Sequence, residues 1–279
     1  MPAAHPFLAG LEPTLLIAHR GGAALAPENT LPAFDMAVER YRADMIELDV
    51  HVTRDGEIVV AHDPDLSRCT DGEGPIAEHT LSQLEGLDAG YRFSRDGVTH
   101  PYRGLGLRIP RLTEVLARFG VRMNIDVKPP VPGLEALLSA ELRRAGVVDR
   151  VCVGSAVDET AVRLVRALPE ACHFYPTEAL TAAFRAVHAG SPPAPADSPY
   201  LVLDMPLYQG DARLLSGPLL DWARATGRWI NVWTVDETAE MHRLVDERVG
   251  GIMTDRPDRL RLVLGARAES PPGIPPLGL

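Results

Sequence analysis

Several side chains able to do acid–base and anion chemistry sit at the ends of apolar runs in this chain. The stretch "IAHRGGAALAPENT" (17–30) leaves an apolar run through His19-Arg20, bends at Gly21-Gly22 and then offers Pro27-Glu28-Asn29-Thr30. A buried strand, a glycine turn and a helix cap at Asn29 or Thr30 explain the glycines and the cap. They do not explain a His-Arg pair at the mouth of a buried strand. Further along, "MIELDV" carries Glu47 and Asp49, "IVVAHD" ends in His62-Asp63, and "MNIDVK" carries Asp126 and Lys128. Side chains two apart on a strand face the same side, so Glu47 pairs with Asp49 and Asp126 with Lys128. Glu47, Asp49 and Asp126 are hard oxygen donors, suited to one Mg²⁺ or Ca²⁺ ion rather than zinc. His19 and His62 are able to act as general acid and base near neutral pH. Arg20 and Lys128 are able to hold an anion. A divalent metal, two histidines and two cations describe a phosphoryl-transfer site. Each residue also has an ordinary structural reading. Glu47-x-Asp49 fits an ion-pair network, either histidine fits a core or surface position, and Asp63-Pro64 fits a turn. Glu28 and Asn29 fit loop order and capping, and Trp233 fits barrel packing. What favours chemistry is their agreement at one end of the elements that carry them.

Those elements follow from periodicity. Short apolar runs bounded by turn residues occur at 15–19, 45–50, 123–128, 151–155, 172–176, 201–206, 230–235 and 251–255, the run at 172–176 being the least strand-like. Helix-face spacing appears between them, at 30–42, 113–119, 134–144, 159–168, 214–225 and 238–247. Strands alternating with helices imply right-handed βαβ units and a parallel sheet. Eight such repeats in about 250 residues predict an α/β fold of the (β/α)8 TIM-barrel type, with functional groups at the C-terminal strand ends. One segment breaks the alternation. Arg54-Asp55-Gly56 between two apolar runs signals a hairpin, so "IVVAH" is an added strand near the barrel mouth. The polar, Gly-rich stretch 63–110 then reads as a small capping insertion. Residues 1–265 are expected to form this single domain, 190–199 a Pro-rich loop, and 266–279 a disordered tail.

The net charge is −10 and the isoelectric point about 5.4. That balance argues against a nucleic-acid partner, which needs clustered Lys and Arg, but leaves room for a small anionic substrate held locally. Cys69, Cys152 and Cys172 form neither a disulfide framework nor a zinc pattern and suggest a reducing compartment. The N-terminal stretch has no basic start, and Glu12-Pro13 interrupt its apolar part, so no signal peptide is expected. No run approaches the ~18 apolar residues of a membrane span. The expected setting is cytoplasmic, with no integral membrane segment. The sequence carries no signal for oligomeric state.

The pieces "AHRGG…PENT", "IELDVHVTRDGEIVVAHDPDLSRCTDGEG", "IPRLTEVL", "NIDVK", "NVWTVDE" and "GIMTDRPDRL" run in order from about residue 17 to 262. In these the chain resembles the glycerophosphodiester phosphodiesterase family. The resemblance implies a (β/α)8 barrel whose insertion is the family's small cap, and hydrolysis of a glycerophosphodiester to glycerol 3-phosphate and an alcohol through a cyclic phosphate. It implies His19 and His62 as the catalytic pair and one divalent metal at Glu47, Asp49 and the acid of the third strand. Arg20, Lys128 and Trp233 are then expected at the substrate. The family usually has Glu-x-Lys where this chain has Asp126-Val-Lys128, one methylene shorter. Asp204 stands where relatives often carry a neutral amide, and its role is open. Two alternatives accompany this reading. One is a phosphodiesterase acting on lysophospholipids, which an apolar groove would favour; the insertion offers Tyr91, Phe93 and Tyr102 but no long apolar run. The other is a non-catalytic, phosphodiester-binding barrel, whose signature would be a missing histidine or carboxylate.

Overall fold

In the computed structural model, residues 5–128, 133–194 and 198–265 are described. The predicted tail at 266–279 and part of the Pro-rich loop lie outside them. The strands are β1 (Leu15–Ala18), β2 (Met45–Val52), β3 (Ile58–Val60), β4 (Arg122–Val127), β5 (Val151–Gly154), β6 (Cys172–His173), β7 (Val202–Pro206), β8 (Tyr208–Gln209), β9 (Ala212–Arg213), β10 (Trp229–Trp233) and β11 (Gly251–Thr254). The helices are α1 (Leu31–Asp35), α2 (Leu81–Leu84), α3 (Leu112–Arg118), α4 (Leu134–Ala145), α5 (Asp158–Ala167), α6 (Thr177–His188), α7 (Gly217–Thr226), α8 (Thr238–Asp246) and α9 (Pro257–Gly265).

The eight parallel strands follow the order β6-β5-β4-β2-β1-β11-β10-β7. A single parallel bridge, Phe174 to Val202, links the two ends into a nearly closed barrel. Each strand buries its outward side chains under the surrounding helices: Leu16, Ile46, Leu48, Val50, Ile125 and Val153 all lie in one large core with residues of α3, α4 and α5. Burying each such side chain stabilises the fold by about 1.5–3 kcal/mol. Inward-pointing Ile17, Met45, Cys152, Cys172, Val202 and Met253 form a second cluster inside the barrel, joined by Phe7 from the N-terminal segment. That layer leaves polar side chains only toward the C-terminal end.

Three local departures from the expected elements stand out. The fifth strand is two residues long rather than five: its pairing ends at His173, and the Phe174 ring beyond it lies over Gly154, where a Cβ would come within 2.7 Å of the ring. The stretch expected as one helix from 30 to 42 starts as α1, capped by Thr30, and loosens into a wider turn over Met36–Arg40. The helix expected from 214 begins instead at Gly217, where Ser216 caps it, after the small β8–β9 hairpin. β3 pairs antiparallel with β2, as an added strand. The insertion after it has its own small core of Val59, Leu66, Ile76, Leu84, Ala89 and Ile109.

Candidate active site

Strand register sets the first contacts. Asp49 on β2 lies opposite Asp126 on β4, and Glu47 lies opposite Asn124. The polar side chains of these two strands therefore form adjacent rungs inside the mouth. The chain leaving β1 turns sharply through Arg20 and Gly21, both at positive φ (51° and 85°). Gly21 is required there, since a Cβ would stand 2.8 Å from that of Ala33. The turn aims the Arg20 backbone N–H at Glu47 Oε2, which accepts it at 3.0 Å.

His19 and His62 both line one cavity of about 560 Å³, together with Arg20, Glu47, Asp49, Asn124, Asp126, Lys128, Asp204 and Trp233. His19 Nδ1 lies 2.7 Å from Asp255 Oδ1 at the end of β11, and its Nε2 lies 3.9 Å from Glu47 Oε2. Burial pulls the His19 pKa down, but Asp255 and Glu47 outweigh it and leave it raised. His62 Nδ1 lies 2.6 Å from Asp63 Oδ1. Asp63-Pro64, expected as a simple turn, thus also fixes an imidazole. In both rings the carboxylate occupies Nδ1 and leaves Nε2 for proton transfer.

The acidic groups are unequally placed. Asp49 has both oxygens engaged: Oδ1 by Lys128 Nζ at 2.8 Å, Oδ2 by Asn29 Nδ2 at 2.9 Å and by Arg20 Nε at 3.4 Å. Burial pushes its pKa up, but these cations hold it below the usual range. Glu47 has only the Arg20 backbone N–H and the more distant His19 ring, and burial and the nearby Asp49 outweigh them and push it up to about 8. Burial also raises Asp126, against the pull of Lys128 at 2.6 Å, and its Oδ1 is buried with no hydrogen-bond partner. Two reluctant carboxylates, one of them with an unpartnered oxygen, are what a divalent cation would satisfy, and the all-oxygen donor set suits Mg²⁺ or Ca²⁺. Among the described residues no three His, Cys, Asp or Glu are already gathered to hold an ion. Lys128, expected near the substrate phosphate, has its ammonium on Asp49 and Asp126.

Asp204, whose role the sequence left open, lies on the cavity floor between two amides. Asn124 Nδ2 donates to its Oδ2 at 2.6 Å and Asn231 Nδ2 to its Oδ1 at 2.8 Å. Burial raises it to about 6. Trp233, at the end of β10, is 41% exposed at the rim rather than packed in the barrel. Away from the charged strands the lining carries the apolar side chains Phe174, Leu180, Phe184, Met205, Leu214 and Trp233, interspersed with Thr181, Arg185 and Gln209.

Sequence spacing found the histidines and carboxylates but missed their orienting partners. Asp255 was visible only as a polar strand end. Glu28 looked like loop order, yet it accepts from Arg20 at 3.1 Å and from Arg68 at 2.6 and 2.8 Å. Nothing local singled out Arg68, Asn124 or Asn231.

Comparison with known proteins bears on this arrangement. The model of the glycerophosphoryl diester phosphodiesterase family matches residues 19–259. The chain is 33% identical over 258 residues to a glycerophosphodiester phosphodiesterase of Bacillus subtilis, covering 88% of this chain and 84% of that one. It is 32% identical over 260 residues to one from Caldanaerobacter subterraneus, covering 88% and 96%. Its fold is similar to the crystal structure of a glycerophosphodiester phosphodiesterase from Agrobacterium tumefaciens, with a TM-score of 0.71, 26% identity, and 89% and 99% of the two chains covered.

Proposed function

The chain belongs to the glycerophosphoryl diester phosphodiesterase family and is a phosphoric diester hydrolase, and we propose that it works by two-histidine acid–base catalysis on a glycerophosphodiester, releasing glycerol 3-phosphate and an alcohol. The observation that carries this reading is the matched pair of imidazoles on one cavity, each with Nδ1 held by a carboxylate. One Nε2 takes the proton of the substrate's glycerol hydroxyl. That oxygen attacks phosphorus, the P–O bond to the leaving alcohol breaks, and the other imidazole protonates the departing oxygen. Water then opens the resulting cyclic phosphate with the two roles exchanged. Asp255 and Asp63 stabilise whichever ring is protonated. Arg20, anchored by Glu28 and Asp49, holds phosphate oxygens; Lys128 joins it once its ammonium is released from the acids. Glu47, Asp49 and Asp126 would hold one divalent cation, which supplies charge at the phosphate and lowers the hydroxyl's pKa.

Two experiments test this. His19→Ala and His62→Ala should each lower turnover of glycerophosphocholine by ~10² to 10⁴ with unfolding temperature preserved; full activity in either variant refutes the pair. Exhaustive chelation should abolish hydrolysis, and Mg²⁺ or Ca²⁺ should restore it; activity that survives chelation removes the metal from the proposal.

A second reading has one observation in its favour. The apolar side chains of Phe174, Leu180, Phe184 and Leu214 line the barrel mouth, where no side chain of the insertion does. They favour an alcohol with an apolar body, as in lysophospholipids.

A further inference from the structure

A guanidinium at the root of the cap reaches both halves of the machinery without lining the cavity. Arg68 closes the short turn Leu66–Arg68, the first element of the insertion after β3. Its Nε donates to Asp63 Oδ2, while Nη1 and Nη2 donate to Glu28 Oε2 and Oε1 at 2.8 and 2.6 Å. The other oxygen of Asp63 holds His62 Nδ1 at 2.6 Å. Glu28 Oε1 also accepts from Arg20 Nη1 at 3.1 Å, and Arg20 Nε reaches to 3.4 Å from Asp49. One side chain therefore joins two chains of contact, Arg68–Asp63–His62 and Arg68–Glu28–Arg20.

We infer that Arg68 is a positioning residue that sets His62 and Arg20 together, so that the proton-transfer group and the anion-holding group are in place only when the cap is seated. The inference rests on the proposed roles of those two residues. Its physical basis is the shape of the guanidinium. A planar fork with several fixed N–H donors engages two carboxylates at once in one orientation; an ammonium of the same charge does not. With one oxygen on Arg68 and the other on His62, Asp63 cannot rotate without breaking a charge-assisted hydrogen bond. Glu28 is likewise pinned from both sides. Arg68 itself is 44% exposed, so each of its ion pairs alone would add little stability. Their value lies in geometry, which points to a role in rate more than in folding.

The test uses the full chain and glycerophosphocholine, with the divalent cation that supports turnover. Arg68→Ala should lower kcat by about 10- to 100-fold, the usual cost of losing a group that orients a working histidine, and should raise KM several-fold. Asp63→Asn should reproduce the kcat loss alone, and Glu28→Gln mainly the KM rise. Because Arg68 reaches His62 through Asp63, Arg68→Ala added to Asp63→Asn should cost little further kcat. Arg68→Lys should recover only part of the loss, and sub-denaturing guanidinium should rescue Arg68→Ala but leave Arg68→Lys unmoved. Wild-type kcat and KM in Arg68→Ala would overturn the inference. So would a loss that follows a lowered unfolding temperature and resists guanidinium, since that is a cap-folding effect. His62→Ala separates the two levels. If it stays active, the two-histidine reading fails. If it is inactive while Arg68→Ala is fully active, only the role of Arg68 fails.

Discussion

Asp255 and His19 are 236 positions apart in sequence and 2.7 Å apart in space, and this separation divides what local spacing reveals from what it hides. A strand's two-residue period puts Glu47 beside Asp49 and Asp126 beside Lys128 from sequence alone. It says nothing about which carboxylate will hold His19, because that partner arrives from another strand end; only His62 has its carboxylate next door, at Asp63. Glu28 is the sharpest case. It looks like a loop residue before a cap, yet two guanidinium groups converge on it. Burial would push its pKa up, but the hydrogen bonds and charges of Arg68 and Arg20 bring it below the ordinary 4.5. A depressed carboxyl pKa contributes stability that is fully present above the unfolded value and is lost as pH falls through the folded one. Glu28→Gln should therefore be less stable than the parent by about 1–3 kcal/mol at pH 7. In urea unfolding that gap should narrow as the pH drops below 4.5. A gap that stays constant or widens on acidification would mean that the charge on Glu28 is not what stabilises the loop.

At the level of elements, the barrel was readable because alternation of period-2 and period-3.6 segments survives whatever the side chains do at the mouth. The added strand β3 was readable from its Asp55-Gly56 turn. The shortened β6 was not, since where pairing stops is set by neighbouring strands: β6 pairs with β5 only at Cys172 and His173. The same dependence on contact governs the turn after β1. Gly21 was recognisable as a turn residue, but the reason for glycine is the approach of α1: at a φ of 85° an added Cβ would meet Ala33 Cβ at 2.8 Å and the Phe34 ring at 3.0 Å. Gly21→Ala should cost about 1–3 kcal/mol in stability, through strain and overpacking. It should also lower kcat beyond what its unfolding temperature explains, because the turn aims His19 and Arg20. Urea titration with steady-state kinetics checks both. Unchanged stability would show that α1 yields readily, and wild-type turnover in a destabilised variant would show that the turn does not set the two side chains.

Over the whole molecule, charge is partitioned. The chain carries −10 overall, yet its mouth sets Arg20 and Lys128 among the acids of β2 and β4, while the lining from β6, α6, β7 and β10 is richer in apolar side chains, with Arg185 and Asp204 among them. None of the helices among the described residues is long and apolar enough to cross a membrane. The cavity of about 560 Å³ is of a size ordinary for a small-molecule site. In the proposed reaction the phosphate would sit on the charged side, and an in-line displacement would send the leaving alcohol toward the other. Each buried methylene is worth about 0.8 kcal/mol, roughly fourfold in kcat/KM, if the wall contacts the alcohol in the transition state. A series of glycerophosphodiesters with lengthening n-alkyl leaving groups should therefore gain in kcat/KM by up to about that factor per carbon, then level off once the wall is covered. Phe184→Ser should flatten the series while leaving the methyl ester little affected. A series flat from its first member in the parent enzyme would mean that the alcohol departs through open solvent, and that the apolar side of the mouth serves the barrel rather than the substrate.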